Sequence, residues 1–175
     1  MLAENRSLAS GLQIEEVAET VLDKKFDGII WTYYGLFDPH KYSGDSFNDE
    51  LRTNLVKHLG YLPKSIAKPH QKGSGFETYA RGSLVNILGL VREHGLPQAL
   101  VITSLYHNTG RYRYNLDGLS PEETEEYLQH MSGQDHENQL LLEAYKELAD
   151  RLGIDFKYIP KEDLFPRKLQ TSKDK

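Results

Sequence analysis

The chain holds no cysteine among its 175 residues. That excludes disulfide scaffolds, cysteine-ligated zinc, iron–sulfur clusters and thiol catalysis. A reducing, intracellular setting fits the same absence. Long apolar runs are missing too. The longest span four or five residues, against roughly 20 for a membrane helix. The opening MLAENRSLASGLQIEEV has no basic stretch leading into an apolar core, so no secretory signal is expected. These absences predict a soluble, cytoplasmic protein without a membrane partner. Several motifs are absent as well. There is no GxSxG nucleophile elbow, no GxGxxG dinucleotide fingerprint and no Walker GxxxxGK[ST]. His136-Glu137 begins a zinc-type HExxH, but Leu140 stands where the second histidine belongs.

What is present is globular. Hydrophobic residues make up 38% and charged residues 27%, a mix that can bury a core. The net charge of −5 hides an asymmetry. Residues 1–50 carry 4 basic and 10 acidic side chains, and residues 117–175 carry 8 and 14. The middle third, 51–116, carries 9 basic side chains against only Glu77 and Glu93, a net +7. Two readings compete: the basic third gathers into one face, or the acidic flanks neutralise it in space.

The periodicities alternate between helix and strand. Ser10 with Gln13 reads as a capping box. Ile14, Val17, Ala18, Val21 and Leu22 then repeat at helical spacing, predicting a helix over 11–23. FDGIIWTYYG follows as a strand over 28–34, apolar on both faces as in a sheet centre. Ser46 caps a helix over 47–59, ended by Gly60. Residues 61–76 read as a long basic loop. A third helix runs over 78–94, with Leu84, Val85, Leu88 and Val91 as its stripe. Its Gly82 and Gly89, seven apart, imply close approach by a neighbour. ALVITSLY is a second core strand. Ser120-Pro121-Glu122-Glu123 starts a helix that ends near Met131, before Ser132-Gly133. A further helix runs over 136–152, capped by Asp135 and closed by Gly153. IDFKYI then alternates like an edge strand.

The expected fold class is therefore α/β: a small mixed sheet of about four strands with helices packed on it. One domain is expected over 1–165, with a polar tail over 166–175.

The densest chemistry lies in LYHNTGRYRYNLDG, residues 105–118. In one reading it is the loop at the carboxyl end of a parallel strand, where ligands of open α/β sheets gather. In the other, favoured by the period-two RYRYNL and by Gly110, residues 99–116 form a hairpin turning at Asn108-Thr109-Gly110. The hairpin sets Tyr112, Tyr114 and Leu116 on one face and Arg111, Arg113 and Asn115 on the other. Arg111 and Arg113 would then stand roughly 6.5–7 Å apart, opposite His107. Two guanidinium forks suit phosphate or carboxylate, and an imidazole suits acid or base work near neutral pH. Solvated arginines over packed tyrosines are the bland alternative.

Two weaker clusters flank it. His70 to Gly82 contains Lys72-Gly73-Ser74-Gly75, a possible phosphate cradle before the third helix, with Arg81 in that helix. Asp38, His40 and Asp45 have metal-ligand chemistry, although a turn at Asp38-Pro39 and a helix start at Asp45-Ser46 are the favoured account of them. No cofactor is expected, and no metal is assigned beyond that alternative. The leading expectation is a small enzyme or ligand-binding protein for an anionic, phosphorylated, nucleotide-like small molecule. Arg111 and Arg113 would hold the anion, with help from Lys72, Arg81 and Asn108. His107 would be the catalytic acid or base, and Tyr34 and Tyr106 would line the pocket. RNA or single-stranded nucleic-acid binding by the basic third is one alternative. A non-catalytic interaction module, including a homo-oligomer, is the other.

Overall fold

Two segments dense in β-branched and aromatic residues make the centre of the sheet, because only strands buried on both faces tolerate apolar side chains pointing both ways. In the computed structural model, which describes residues 7–33, 53–69, 76–103, 120–160 and 163, they are β1 (Ile29–Tyr33) and β3 (Ala99–Thr103). They pair in parallel along their whole length, Ile29 against Ala99 through Tyr33 against Thr103. β2 (Ile66–Ala67) adds to the free side of β1, and β4 (Asp155–Ile159) to the free side of β3. The order is β2-β1-β3-β4, and every described pairing is parallel.

The helices are α1 (Ile14–Val21), α2 (residues 53–59 as described), α3 (Phe76–His94) and α4 (Pro121–Leu152). From β1 the chain moves one way across the sheet to β2, then back the other way to β3. Right-handed crossovers therefore put α2 on the opposite face from α3 and α4. The two buried clusters agree. Ile30, Leu100 and Ile102 pack with α1, α3 and α4 through Val17, Leu84, Ile87, Leu141 and Leu148. Ile29, Trp31, Ala99 and Val101 face the other way and pack with Leu55 of α2 and Ile159 of β4. Each large side chain removed from water here contributes roughly 1.5–3 kcal/mol.

The α/β class and the small four-stranded sheet hold. The sheet is parallel among the described residues, however, where a mixed one was expected. The return strand of the expected hairpin, 111–116, lies outside the described residues. Along 99–103 both edges of β3 are already taken, one by β1 and one by β4. An antiparallel partner has no free edge along those five residues.

Other boundaries shift for local reasons. The expected cap at Ser10 is not made: the first helix starts after Gln13, which forms no side-chain cap. The two helices expected over 121–152 are one of 32 residues. Ser132 and Gly133 lower helix propensity by only about 1 kcal/mol, and no proline removes a hydrogen bond between the halves. Its start is as expected: Ser120 and Glu123 form a reciprocal capping box, with Pro121 at the first position. β4 alternates as an edge strand should, with Phe156 and Tyr158 turned to the core. Leu22 and Val85, counted in apolar stripes, are 64% and 52% exposed. Gly89 also faces solvent, and a Cβ there would touch nothing, so it marks no close approach.

Close approach occurs instead at Gly28. A Cβ on Gly28 would overlap the Ser65 carbonyl group, which accepts a hydrogen bond from the Ile29 amide at 3.0 Å. That carbonyl is fixed by the β1–β2 junction and has little freedom to retreat. Gly28→Ala should therefore destabilise the fold by about 1–3 kcal/mol. A urea titration should show a lower midpoint with an unchanged slope; an unaltered midpoint would mean that the β2 junction yields freely.

Candidate functional site

In an open parallel sheet, ligands collect outside the carboxyl ends of the strands where the strand order reverses. The reversal here lies between β1 and β3, because successive crossovers leave in opposite directions. The carboxyl ends at that point are Tyr33 and Thr103, which are register partners. Residues 34–52 follow Tyr33, and residues 104–119 follow Thr103. Residues 70–75 join the carboxyl side of β2 to the start of α3.

Every candidate residue but one belongs to those three stretches. Tyr106, His107, Asn108, Arg111 and Arg113 follow β3, and Tyr34, Asp38, His40 and Asp45 follow β1. Lys72 lies between β2 and α3. All of these lie outside the described residues. Arg81 is described: it is exposed, beside buried Ala80, in the second turn of α3.

Groups missed in the sequence stand at the same edge. Lys68 directly follows β2, and its Nζ lies 4.6 Å from the centroid of the Trp31 ring. Partial burial holds the Lys68 ammonium below the usual lysine pKa, while the indole face acts in the opposite sense by favouring the cation. Among the described residues no carboxylate is paired with it. Lys64, four residues earlier, differs: its hydrogen bond and charge pairing with Asp27 raise its pKa.

Beneath the edge lies a band of buried polar side chains. Among the described residues the buried polar ones are Thr32, Ser83, Thr103 and Asn138. Thr32 is the penultimate residue of β1, and Thr103 the last of β3. Ser83 lies in the first half of α3, which starts at this edge. Asn138 lies two turns before Tyr145 on α4, which also starts here. The Tyr145 side chain is fully buried. Its burial pushes the phenol pKa up, against a smaller downward pull from the neighbouring Thr32 and Ser83 hydroxyls. The Tyr145 and Thr32 hydroxyls thus neighbour each other without a well-aligned hydrogen bond, and Thr103 Oγ1, on the opposite face of the sheet, completes none. A buried hydroxyl left unpaired costs roughly 1–3 kcal/mol. The signal for this band was a threonine near the carboxyl end of each apolar core strand, FDGIIWTYYG and ALVITSLY.

The amino edge of the sheet is different. An open groove of about 610 Å³ runs there past Phe26, Pro97, Gln98 and Asp155. Several of its backbone groups pair with one another. Phe26 N–H donates to Leu96 O and Leu96 N–H to Lys24 O, both at 2.8 Å, and Gln98 N–H donates to Gly28 O at 2.8 Å. The groove is a seam between strand starts, bordered by these backbone hydrogen bonds and by Lys25 and Gln98.

No group of side chains suited to a metal occurs among the described residues, and the Asp38, His40 and Asp45 alternative lies outside them. No described helix is long and apolar enough to cross a membrane. No family model, curated protein or solved structure matches the chain.

The opposite perturbations of Lys64 and Lys68 are directly measurable. A lowered pKa leaves more free amine at a given pH below it, and a raised one leaves less. Limited acetylation near pH 8, mapped by mass spectrometry, should therefore label Lys68 ahead of Lys64. In urea the two rates should converge. Equal labelling in the folded protein would contradict the environments described.

Proposed function

We propose that the chain binds and acts on an anionic, phosphorylated small molecule in the crevice outside the carboxyl ends of β1 and β3. The observation that carries this reading is the reversal of strand order between those two strands. It brings the exits toward residues 34–52 and 104–119 side by side, and these hold most of the chain's candidate ligand-binding residues. Arg111 and Arg113 hold the anion as bidentate forks, assisted by Lys72, Arg81 and Asn108. His107 is the acid or base, and Tyr34 and Tyr106 line the crevice. Lys68 adds a cation at the same edge. It sits over an apolar ring, and among the described residues no carboxylate competes for it.

A phosphate group at this edge meets two kinds of positive charge. Arginine supplies planar, directional donors, and lysine a compact point charge. The acid or base role of His107 makes the reading an enzyme rather than a store or carrier, with the bond broken or formed adjacent to the phosphorylated group.

The test is calorimetry with methyl phosphate and ribose 5-phosphate, supported by the emission of Trp31, the single tryptophan. Arg111→Ala with Arg113→Ala should weaken binding by roughly 10–100-fold, the loss of one or two charge-assisted contacts, with the melting temperature nearly unchanged. Lys68→Met should weaken it by a smaller factor and alter the Trp31 emission of the free protein. Unchanged affinity in the double arginine variant would overturn the reading.

A further inference from the structure

We infer that β4 is the docking edge for a second copy of this chain. The two β4 strands pair antiparallel about a two-fold axis at Phe156, and the sheets of the two protomers become one. This surface is separate from the carboxyl-edge crevice and does not depend on what that crevice binds.

The sheet order places β4 at one end. β3 holds one of its sides, and among the described residues no strand lies on the other. The Asp155 N–H donates to the Gln98 carbonyl at 3.4 Å, so Asp155, Lys157 and Ile159 turn their backbone groups toward β3. Phe156, between them, turns its N–H and C=O outward. Outward backbone groups on an edge strand are a template for another strand.

Charge selects the occupant. Asp155 and Lys157 are exposed on the same face of β4 and flank Phe156. Neither makes an ion pair among the described residues. In a two-fold antiparallel pair, the residue on the axis fixes every other pairing. An axis at Asp155 sets two carboxylates opposite each other, and an axis at Lys157 sets two ammonium groups so. Like charges directly opposite weaken a sheet. An axis at Tyr158 brings Pro160, which has no N–H, opposite the outward-turned Phe156. An axis at Phe156 sets each Asp155 opposite Lys157 of the other copy, with Cα atoms about 4.5 Å apart. The two Phe156 residues then exchange a pair of backbone hydrogen bonds. Their half-buried rings, at the rim of the main apolar cluster, meet across the axis. A row of lysines would repel a second copy. Asp155 with Lys157 matches one.

Sedimentation of the full chain between about 1 and 100 μM tests this, a range that covers modest affinities. The parent should dimerise within it. Asp155→Lys and Lys157→Asp each turn both attractive pairs into repulsive ones, and each should raise the dimer Kd about tenfold or more. The double variant, with the two charges exchanged, should return Kd to near the parent value. Circular dichroism checks that each variant is folded. Asp155 also lies near enough to Tyr61 to raise its phenol pKa, behind the larger effect of burial. If Asp155→Lys fails to fold, Lys157→Asp decides the matter. A parent that stays monomeric throughout would overturn the inference. So would a dimer whose Kd neither reversal moves, because it would be built on another face. Single reversals that weaken the dimer without rescue in a folded double variant would overturn the pairing at Phe156.

Discussion

β1 and β3 pair in parallel over all five residues of each strand, and each is also paired on its other side. A parallel pair cannot be closed by a short turn. The chain must leave at the carboxyl end of one strand and return at the amino end of the next, usually through a helix. That requirement dictates most of what surrounds the ladder. It sends the backbone out past Tyr33 and Thr103 at one edge and back in before Ile29, Ala99 and Asp155 at the other. It calls for helices on both faces, and the two separate apolar clusters on either side of β1 and β3 are the result. It also gives the two edges different chemistry. The amino edge is a seam of backbone hydrogen bonds around Phe26, Leu96 and Gln98. The carboxyl edge holds the buried hydroxyls.

The placement of those hydroxyls obeys an energetic logic. The central strands bury almost everything: Ile29, Ile30, Trp31, Leu100, Val101 and Ile102 are all at most 1% exposed. A polar group in that setting weakens the core unless it is paired. Thr32 and Thr103 stand where the apolar layers end, so their cost falls on the rim rather than on the centre. Tyr145 is a stronger case, because its ring contributes to the main cluster while its hydroxyl reaches Thr32 and Ser83.

The strands and helices were legible in the sequence wherever one chain segment carries its own signal. The β-branched and aromatic runs marked β1 and β3, and Ser120, Pro121 and Glu123 marked the start of α4. What was not legible depended on partners remote in sequence. The alternation in RYRYNL is a local, period-two pattern, and it says nothing about whether β3 has a free edge. The capture of β4 on that edge, from more than fifty residues away, is a tertiary event. β2 is two residues long and has no periodicity of its own. Lys68 gains its character from Trp31 on the neighbouring strand, and Tyr145 from Thr32 and Ser83. Neither relation is visible in the spacing of the residues along the chain. Most candidate residues fall on segments that leave the carboxyl edge, and contacts between such remote segments leave no trace in residue spacing.

The charge pattern gains a structural meaning from the same topology. Within the basic stretch from 51 to 116 the chain crosses the sheet from edge to edge, so its described lysines Lys64 and Lys68 divide between the two edges. Lys64 precedes β2, at the amino side, and there Asp27 from the acidic first third pairs with it. Lys24, also at that side, donates instead to the Glu93 carbonyl at the end of α3. Lys68 follows β2 only four residues after Lys64, yet it stands at the opposite edge, over an aromatic ring. Among the described lysines, an acidic flank thus neutralises Lys64, while Lys68 stands at the carboxyl edge. A parallel sheet sorts residues by their position relative to strand direction, not by their block in the sequence. A net +7 spread along sixty-six residues thereby yields neighbouring lysines with opposite environments, one tied to a carboxylate and one left at the rim where anionic ligands are expected.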